Sequence, residues 1–274
     1  MRTSAVPQVF AVLYRYIHMQ LRFCFELDPV EDIVPWGEGE DRNLHWFGLT
    51  SGRYWVSTPL GEALRYTDEE VKLWELSSPY VDYQVARLFE DLQYVLPMVL
   101  ESVPPDIATI VSDGKWFDRA EKWIDGAENE DERRRLCYDA MEWYQNRALD
   151  TMYLVDGPLF HLWRTGDDVW VRWEPTVKNP KGVWSTPEGQ FTVSVDQFVS
   201  AAHAFLDGVL GAMQERVDAI QTRGWHRADC KLDIPLLHKE QRQRTARVEE
   251  LKERRPETDW ENVRSLIERL SAEF

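Results

Sequence analysis

The sequence predicts an α+β fold in which a mostly antiparallel, tryptophan-rich sheet, built from two hairpin regions, is covered by helices. Three observations predict it. Strand-like alternation of apolar residues marks residues 44–58 and 159–195, helical periodicity marks residues 68–150 and 196–274, and turn residues punctuate the alternating runs. The order strands, helices, strands, helices also admits an internal duplication, in which two diverged halves share one sheet. With 274 residues, 43% of them hydrophobic, the chain can fill a sizeable core.

The start, "MRTSAVPQVFAVLYRYIHMQLRF", imitates a signal peptide, but Pro7 and Gln8 break its apolar stretch and Arg15 interrupts the next apolar run. A chain opening at Met19 would begin directly on "LRFCFEL", which alternates as a strand does. Residues 1–18 are therefore expected to form an extension without fixed structure, and residues 19–274 a single domain. Seven acidic residues and no basic one lie between Glu26 and Asp41, around a G-x-G at Gly37 and Gly39. These carboxylates would repel phosphate, so the segment reads either as a solubilising loop or as a patch that steers a cationic partner.

The first hairpin is "LHWFGLTSGRYWV", with Ser51 and Gly52 at its turn. Thr67 and Glu70 have capping-box spacing at the start of a short helix. Residues 80–101 repeat Val81, Val85, Leu88, Leu92, Val95 and Val99 near one stripe, which predicts a helix kinked at Pro97. "SDGKWFDRAEKWIDG" predicts a helix stopped by Gly126, and "NEDERRRLCYDAMEWYQNRALD" another whose first-turn acids suit the helix dipole. "GPLFHLWRTGDDVWVRW" predicts a hairpin around Gly166 and Asp167, and "GVWSTPEGQFTVSV" one around residues 187–189. After Asp196 as N-cap, a long helix carries Phe198, Phe205, Leu206, Val209, Met213, Val217 and Ile220 at helical spacing. Two more helices are expected, one from near Pro235 and one capped by Thr258 and Glu261.

If each turn spans two residues, counting outward sets the register. In the second hairpin Trp163 then opposes Trp170 and His161 opposes Arg172, while Phe160, Leu162, Val169, Val171 and Trp173 form a plain core face. In the first, Trp55 covers the bare Gly48, Trp46 and Arg53 share that face, and Phe47, Leu49, Tyr54 and Val56 fill the other. Each ribbon thus has an apolar side and an indole side. The indole side either packs under a second helical layer, as large aromatics do, or stands exposed with the composition of a binding hot spot.

Charge and motifs narrow the function. A formal net charge of -16 opposes encounter with DNA, RNA or anionic membrane, and no stretch of 18 residues is free of charge. Three scattered cysteines suit a reducing compartment, so the expected location is the cytoplasm. There is no H-E-x-x-H, G-x-S-x-G or P-loop. His226, Cys230 and His238 lack the closing pair of a zinc site, so neither metal nor cofactor is expected, and His203 reads as packed or solvated. Asp82 with Arg87, and Arg147 with Asp150, read as helix salt bridges or, given their aromatic flanks, as parts of a polar site. "HKEQRQRTARVEELKERR" carries seven Lys or Arg against four Glu and reads as a solvated amphipathic helix.

"PWGEGEDRNLHWFGLTSGRYWV", "PYVDYQVARLFEDL" and "YLVDGPLFHLWRTGDDVWVRW" together resemble a bacterial, actinomycete-type family known as a domain of unknown function. The resemblance runs from about Leu21 to "TDWENVRSLIERL" and brings no catalytic residues with it. In size and acidity the chain is also similar to proteins that neutralise secreted toxins.

The leading expectation is a non-enzymatic protein-binding module, immunity or defence-associated, that occludes a basic partner through Trp36, Trp46, Trp55, Trp163, Trp170 and Arg172. The alternative is an enzyme or small-molecule binder with a tryptophan-lined pocket and Asp82, Arg147, Asp150 and His161 as polar groups. An assembly subunit with a self-complementary apolar patch is a third reading, and oligomeric state stays open.

Overall fold

The computed structural model describes residues 21–38, 42–176, 181–227, 230, 232–251, 254 and 256–274. The extension expected over residues 1–18 lies outside the described residues. The class is α+β as expected, but the strands form two antiparallel four-stranded sheets rather than one.

In the first sheet, β1 (Arg22–Leu27) lies along one edge of β2 (Ser51–Thr58), and β3 (Gly61–Ala63) and β4 (Val81–Gln84) share the other edge. This overturns the first hairpin. Gly48–Thr50 is a 3-10 turn, and Ser51 and Gly52 open β2 instead of turning the chain. The true partner is β1, which sets Cys24 opposite Trp55. Gly52 answers a close approach: a Cβ there would lie 2.2 Å from the Glu26 carbonyl oxygen. Residues 81–84 were expected to be helical; "VDYQ" also alternates, and pairing with the free edge of β2 decides in favour of a strand.

The second sheet pairs β5 (Ala148–Leu149), β6 (Pro158–Thr165), β7 (Asp168–Pro175) and β8 (Gly189–Ser194) in chain order. Here the counted register holds, with Trp163 opposite Trp170 and His161 opposite Arg172. The hairpin expected around residues 187–189 does not form. β8 pairs with β7, and Trp184 instead bridges to Tyr66. The indole-over-glycine arrangement expected at Trp55 and Gly48 occurs between Trp173 and its partner Gly189, where a Cβ would stand 2.3 Å from the ring.

Helix α1 (Asp68–Leu73) starts as its spacing predicts, with the Thr67 side chain accepting from the Glu70 N–H. Helix α2 (Ala86–Leu100) continues past Pro97. An unanticipated α3 (Pro105–Asp113) begins on a proline that needs no N–H, and α4 (Lys115–Ile124) and α5 (Glu130–Gln145) come next. Ser194, not Asp196, caps α6 (Val195–Arg223): it forms a capping box with Gln197 and leaves Asp196 to the first turn. Helices α7 (Ile234–Leu251) and α8 (Trp260–Glu273) complete the chain, α8 being capped by Asp259, one residue past the expected Thr258.

Two cores result. One joins the inner faces of both sheets to α2, α6 and α7. The other closes α3, α4, α5 and α8 over Trp163, against which Trp170 packs. The second sheet is thus covered on both faces along β6, where Trp163 lies under the helical layer as in the first of the two alternatives, while Trp170 is half-buried and β8 leaves Gln190 and Thr192 exposed.

Polar pins hold these layers in register. Arg147, 1% exposed, donates to Glu101 at 2.7 Å and to the Trp143 carbonyl at 2.6 Å, and sits between the Trp143 and Trp260 rings. Glu101 also accepts the Thr258 N–H and hydroxyl, which ties the end of α2 to the start of α8. On the other side, buried Gln241 accepts from the Trp46 indole at 2.6 Å and donates to the Leu210 carbonyl at 2.9 Å.

Breaking a buried ion pair strands the remaining charge, so Arg147→Met and Glu101→Gln are each expected to destabilise the protein by about 3 kcal/mol. A urea-denaturation double-mutant cycle should show the combined variant losing less than the sum; additive losses would show that the two act independently.

Candidate functional site

On its outer side β2 presents Ser51, Arg53, Trp55 and Ser57, because alternation commits Gly52, Tyr54, Val56 and Thr58 to the core. Trp55 stacks on Tyr80 at 3.9 Å and 11°, and the Tyr80 hydroxyl donates to both Glu62 carboxylate oxygens at 3.1 Å. Facing this pair is a second aromatic set, in which Tyr66 stacks on Trp184 at 4.6 Å and meets Trp74 edge-on at 5.2 Å. The Trp184 indole is fixed by donating to the Asp156 carbonyl.

Between the two sets opens a cleft of about 340 Å³ whose walls include Tyr66, Trp74, Tyr80, Val155, Arg53 and Asp82. Burial pushes the Asp82 carboxyl above the usual range, with repulsion from Asp28 adding and Arg53 opposing. Arg53 is itself held by Asp28 at 3.5 Å, so two carboxylates answer one guanidinium. The backbone is strained at both walls: Glu75, after Trp74, and Asp156, after Val155, adopt φ of 53° and 49°. Left-handed non-glycine residues of this kind concentrate at functional sites. Chemically, the cleft offers π faces and a carboxylate beside an arginine that Asp28 already engages, which suit a cation or an aromatic group.

The six tryptophan-centred candidates do not form one face. Trp46 and Trp163 are fully buried, which removes them from any surface: Trp46 packs on Phe89 and under Arg244, Trp163 under α5. Trp170 is half-buried, parallel to Trp163, and donates to the Thr165 hydroxyl. Arg172 donates to the Val111 carbonyl and to Glu174. Trp55 contributes to the cleft through Tyr80. Trp36 is exposed elsewhere, edge-on to His45 at 5.0 Å.

The four alternative polar residues are also separated. Asp82 lines the cleft, Arg147 forms the buried pin, and Asp150 pairs with Arg87 at 3.4 Å. His161 is buried and stacked on Tyr144 at 3.8 Å; burial, reinforced by Arg172, lowers its pKa to about 3 and keeps the ring neutral. In the acidic segment, Asp28 is bound by Ser51, Arg53 and Arg216, whereas Glu31, Asp32 and Glu38 are exposed. Of the histidine and cysteine set, His238 pairs with Gln221, His226 packs on Trp225 and Cys230 is buried; no group of three metal-binding side chains is gathered among the described residues.

A family model describing a family of unknown function matches residues 22–266, a span that takes in both sheets and reaches into α8. The chain belongs to that family, DUF5984. Neither the curated proteins nor the solved structures yielded a match. Among the described residues of this DUF5984 chain, no helix is long and apolar enough to cross a membrane.

Sequence reasoning passed over Tyr66, Trp74 and Tyr80. One signal was present: Trp74 comes directly after a short helix with no buried residue, so nothing local explains its indole. A polar group on α2 was also passed over. Tyr54 and Tyr153 share a short hydroxyl–hydroxyl hydrogen bond, Arg87 lies over the Tyr153 ring at 5.1 Å, and Asp91 stands beside them. Burial, countered by Arg87 and reinforced by Asp150 and Glu90, raises the Asp91 pKa to about 7.

The native state therefore keeps the Asp91 proton to higher pH than the unfolded chain, and the associated stability is full below about pH 4 and declines until the pH passes 7. Asp91→Asn is expected to be nearly neutral around pH 4 and stabilising by about 2 kcal/mol at pH 8, allowing for partial exposure. Urea unfolding across that range checks it; parallel curves for the two proteins would show that Asp91 titrates normally.

Proposed function

We propose that the protein is a non-enzymatic binding module whose aromatic cleft receives a basic side chain from a protein partner. The observation that carries this reading is the meeting of Tyr66, Trp74 and Tyr80 with the Asp82 carboxylate in one open cleft. Such a cleft attracts a cation through ring quadrupoles and a carboxylate together. Val155, 46% exposed, and Leu76 give it apolar lining of the kind that packs around a hot spot. The net charge of -16 steers basic partners from a distance.

The module acts by occupying its partner's surface without turnover, as an immunity or defence protein would. Cys24, Cys137 and Cys230, which form no disulfide among the described residues, fit a reducing, cytoplasmic setting. A second reading, a small aromatic or cationic metabolite in the same cleft, is favoured by the volume of about 340 Å³, which lies in the small-ligand range.

Calorimetric titration with lysine-rich and arginine-rich peptides tests the proposal. Binding should saturate, weaken with salt, and fall at least about tenfold in Trp74→Ala and in Asp82→Asn, while Trp36→Ala leaves it unchanged. Binding that ignores both cleft substitutions would refute the proposal. A neutral metabolite that shifts the melting temperature where no basic peptide binds would favour the second reading.

A further inference from the structure

A separate cavity of about 420 Å³ lies between α2 and α7, lined by Glu90, Gln93, Gln243, Arg244 and Arg247. Every one of these side chains is polar. Gln93 is 3% exposed, and its amide nitrogen has no hydrogen-bond partner among the described residues. A buried donor left unpaired is costly, so a residue of this kind on a cavity wall calls for an acceptor inside the cavity.

The surrounding charges specify that acceptor. Arg244 is fixed by Glu90 at 2.9 Å, by Glu240 at 3.9 Å and by the Trp46 ring 4.2 Å from its guanidinium carbon, and its buried Nε–H is also unpartnered among the described residues. Arg247 is exposed and makes no ion pair or hydrogen bond with the described residues. Glu90 and Glu240 both answer Arg244, which leaves Arg247 as the cation on the cavity wall that no carboxylate of the described residues engages, on a chain of net charge -16. Long-range attraction cannot recruit an anion to such a chain, so affinity must come from local donors. The basic stretch of α7, which the sequence presents as a plain solvated helix, supplies both arginines.

We propose that this cavity binds a small oxyanion, a phosphate or carboxylate group, gripped by Arg247, the Arg244 Nε–H and the Gln93 amide. It shares no lining residue with the aromatic cleft and does not rest on the function proposed for that cleft.

Isothermal titration of the intact chain with inorganic phosphate and, separately, with acetate at constant ionic strength tests it. Saturable binding of at least one anion is expected, and preference between them assigns the phosphoryl or carboxylate class. Arg247→Ala should weaken binding at least about tenfold, whereas Arg242→Ala, on the same helix but outside the cavity, should not. Gln93→Leu, checked for cooperative unfolding, should weaken it too, and Trp74→Ala should leave it intact. No saturable binding of either anion, or equal losses in Arg247→Ala and Arg242→Ala, would overturn the proposal.

Discussion

The fold depends on burial of β6, a central strand of the second sheet, on both faces. A sheet covered on one side needs only alternation; one covered on both needs large apolar or fully packed residues at successive positions. β6 meets that demand by sending Phe160 and Leu162 into one core and His161 and Trp163 into the other. The consequence for function is direct, because the indoles that looked most available for contact instead weld the second helical layer to the sheet.

Joining two cores raises a problem of registration, since apolar contact is non-directional. Directional groups answer it. Arg147 and Glu101 fix α5, α2 and the start of α8 relative to one another, and Gln241 fixes α7 against Trp46 and α6. Each is a largely buried polar side chain whose directional hydrogen bonds form in this arrangement of the layers, which trades some stability for specificity.

The first sheet is covered differently. Its inner face joins the main core, but its outer face keeps Arg53 and Trp55 half-exposed, and the chain returns over it through Tyr66, Trp74 and Tyr80. Aromatic area left partly wet, strained backbone at Glu75 and Asp156, and a carboxylate displaced upward in pKa all fall on this side. The protein concentrates its regular packing on the second sheet and keeps its surface chemistry on the first.

Local chemistry was legible in the sequence wherever the deciding partner lies a few residues away. The two-residue turn at Gly166 and Asp167 sets the pairing of Trp163 with Trp170, Thr67 caps α1, and the apolar period of α6 marks its buried stripe. Long-range pairing was not legible. Ser51 and Gly52 look like a turn until β1 is found alongside, and residues 81–84 look helical until β2 offers an open edge. The cleft was hidden for the same reason, with Asp82 visible as a candidate and its aromatic walls not. Backbone propensity and capping act over one turn of chain, so sequence alone determined the class, most helices and one ribbon's register. Which strand pairs with which, and which aromatic face is sealed, depend on burying apolar area between distant segments, and only the tertiary structure decided them.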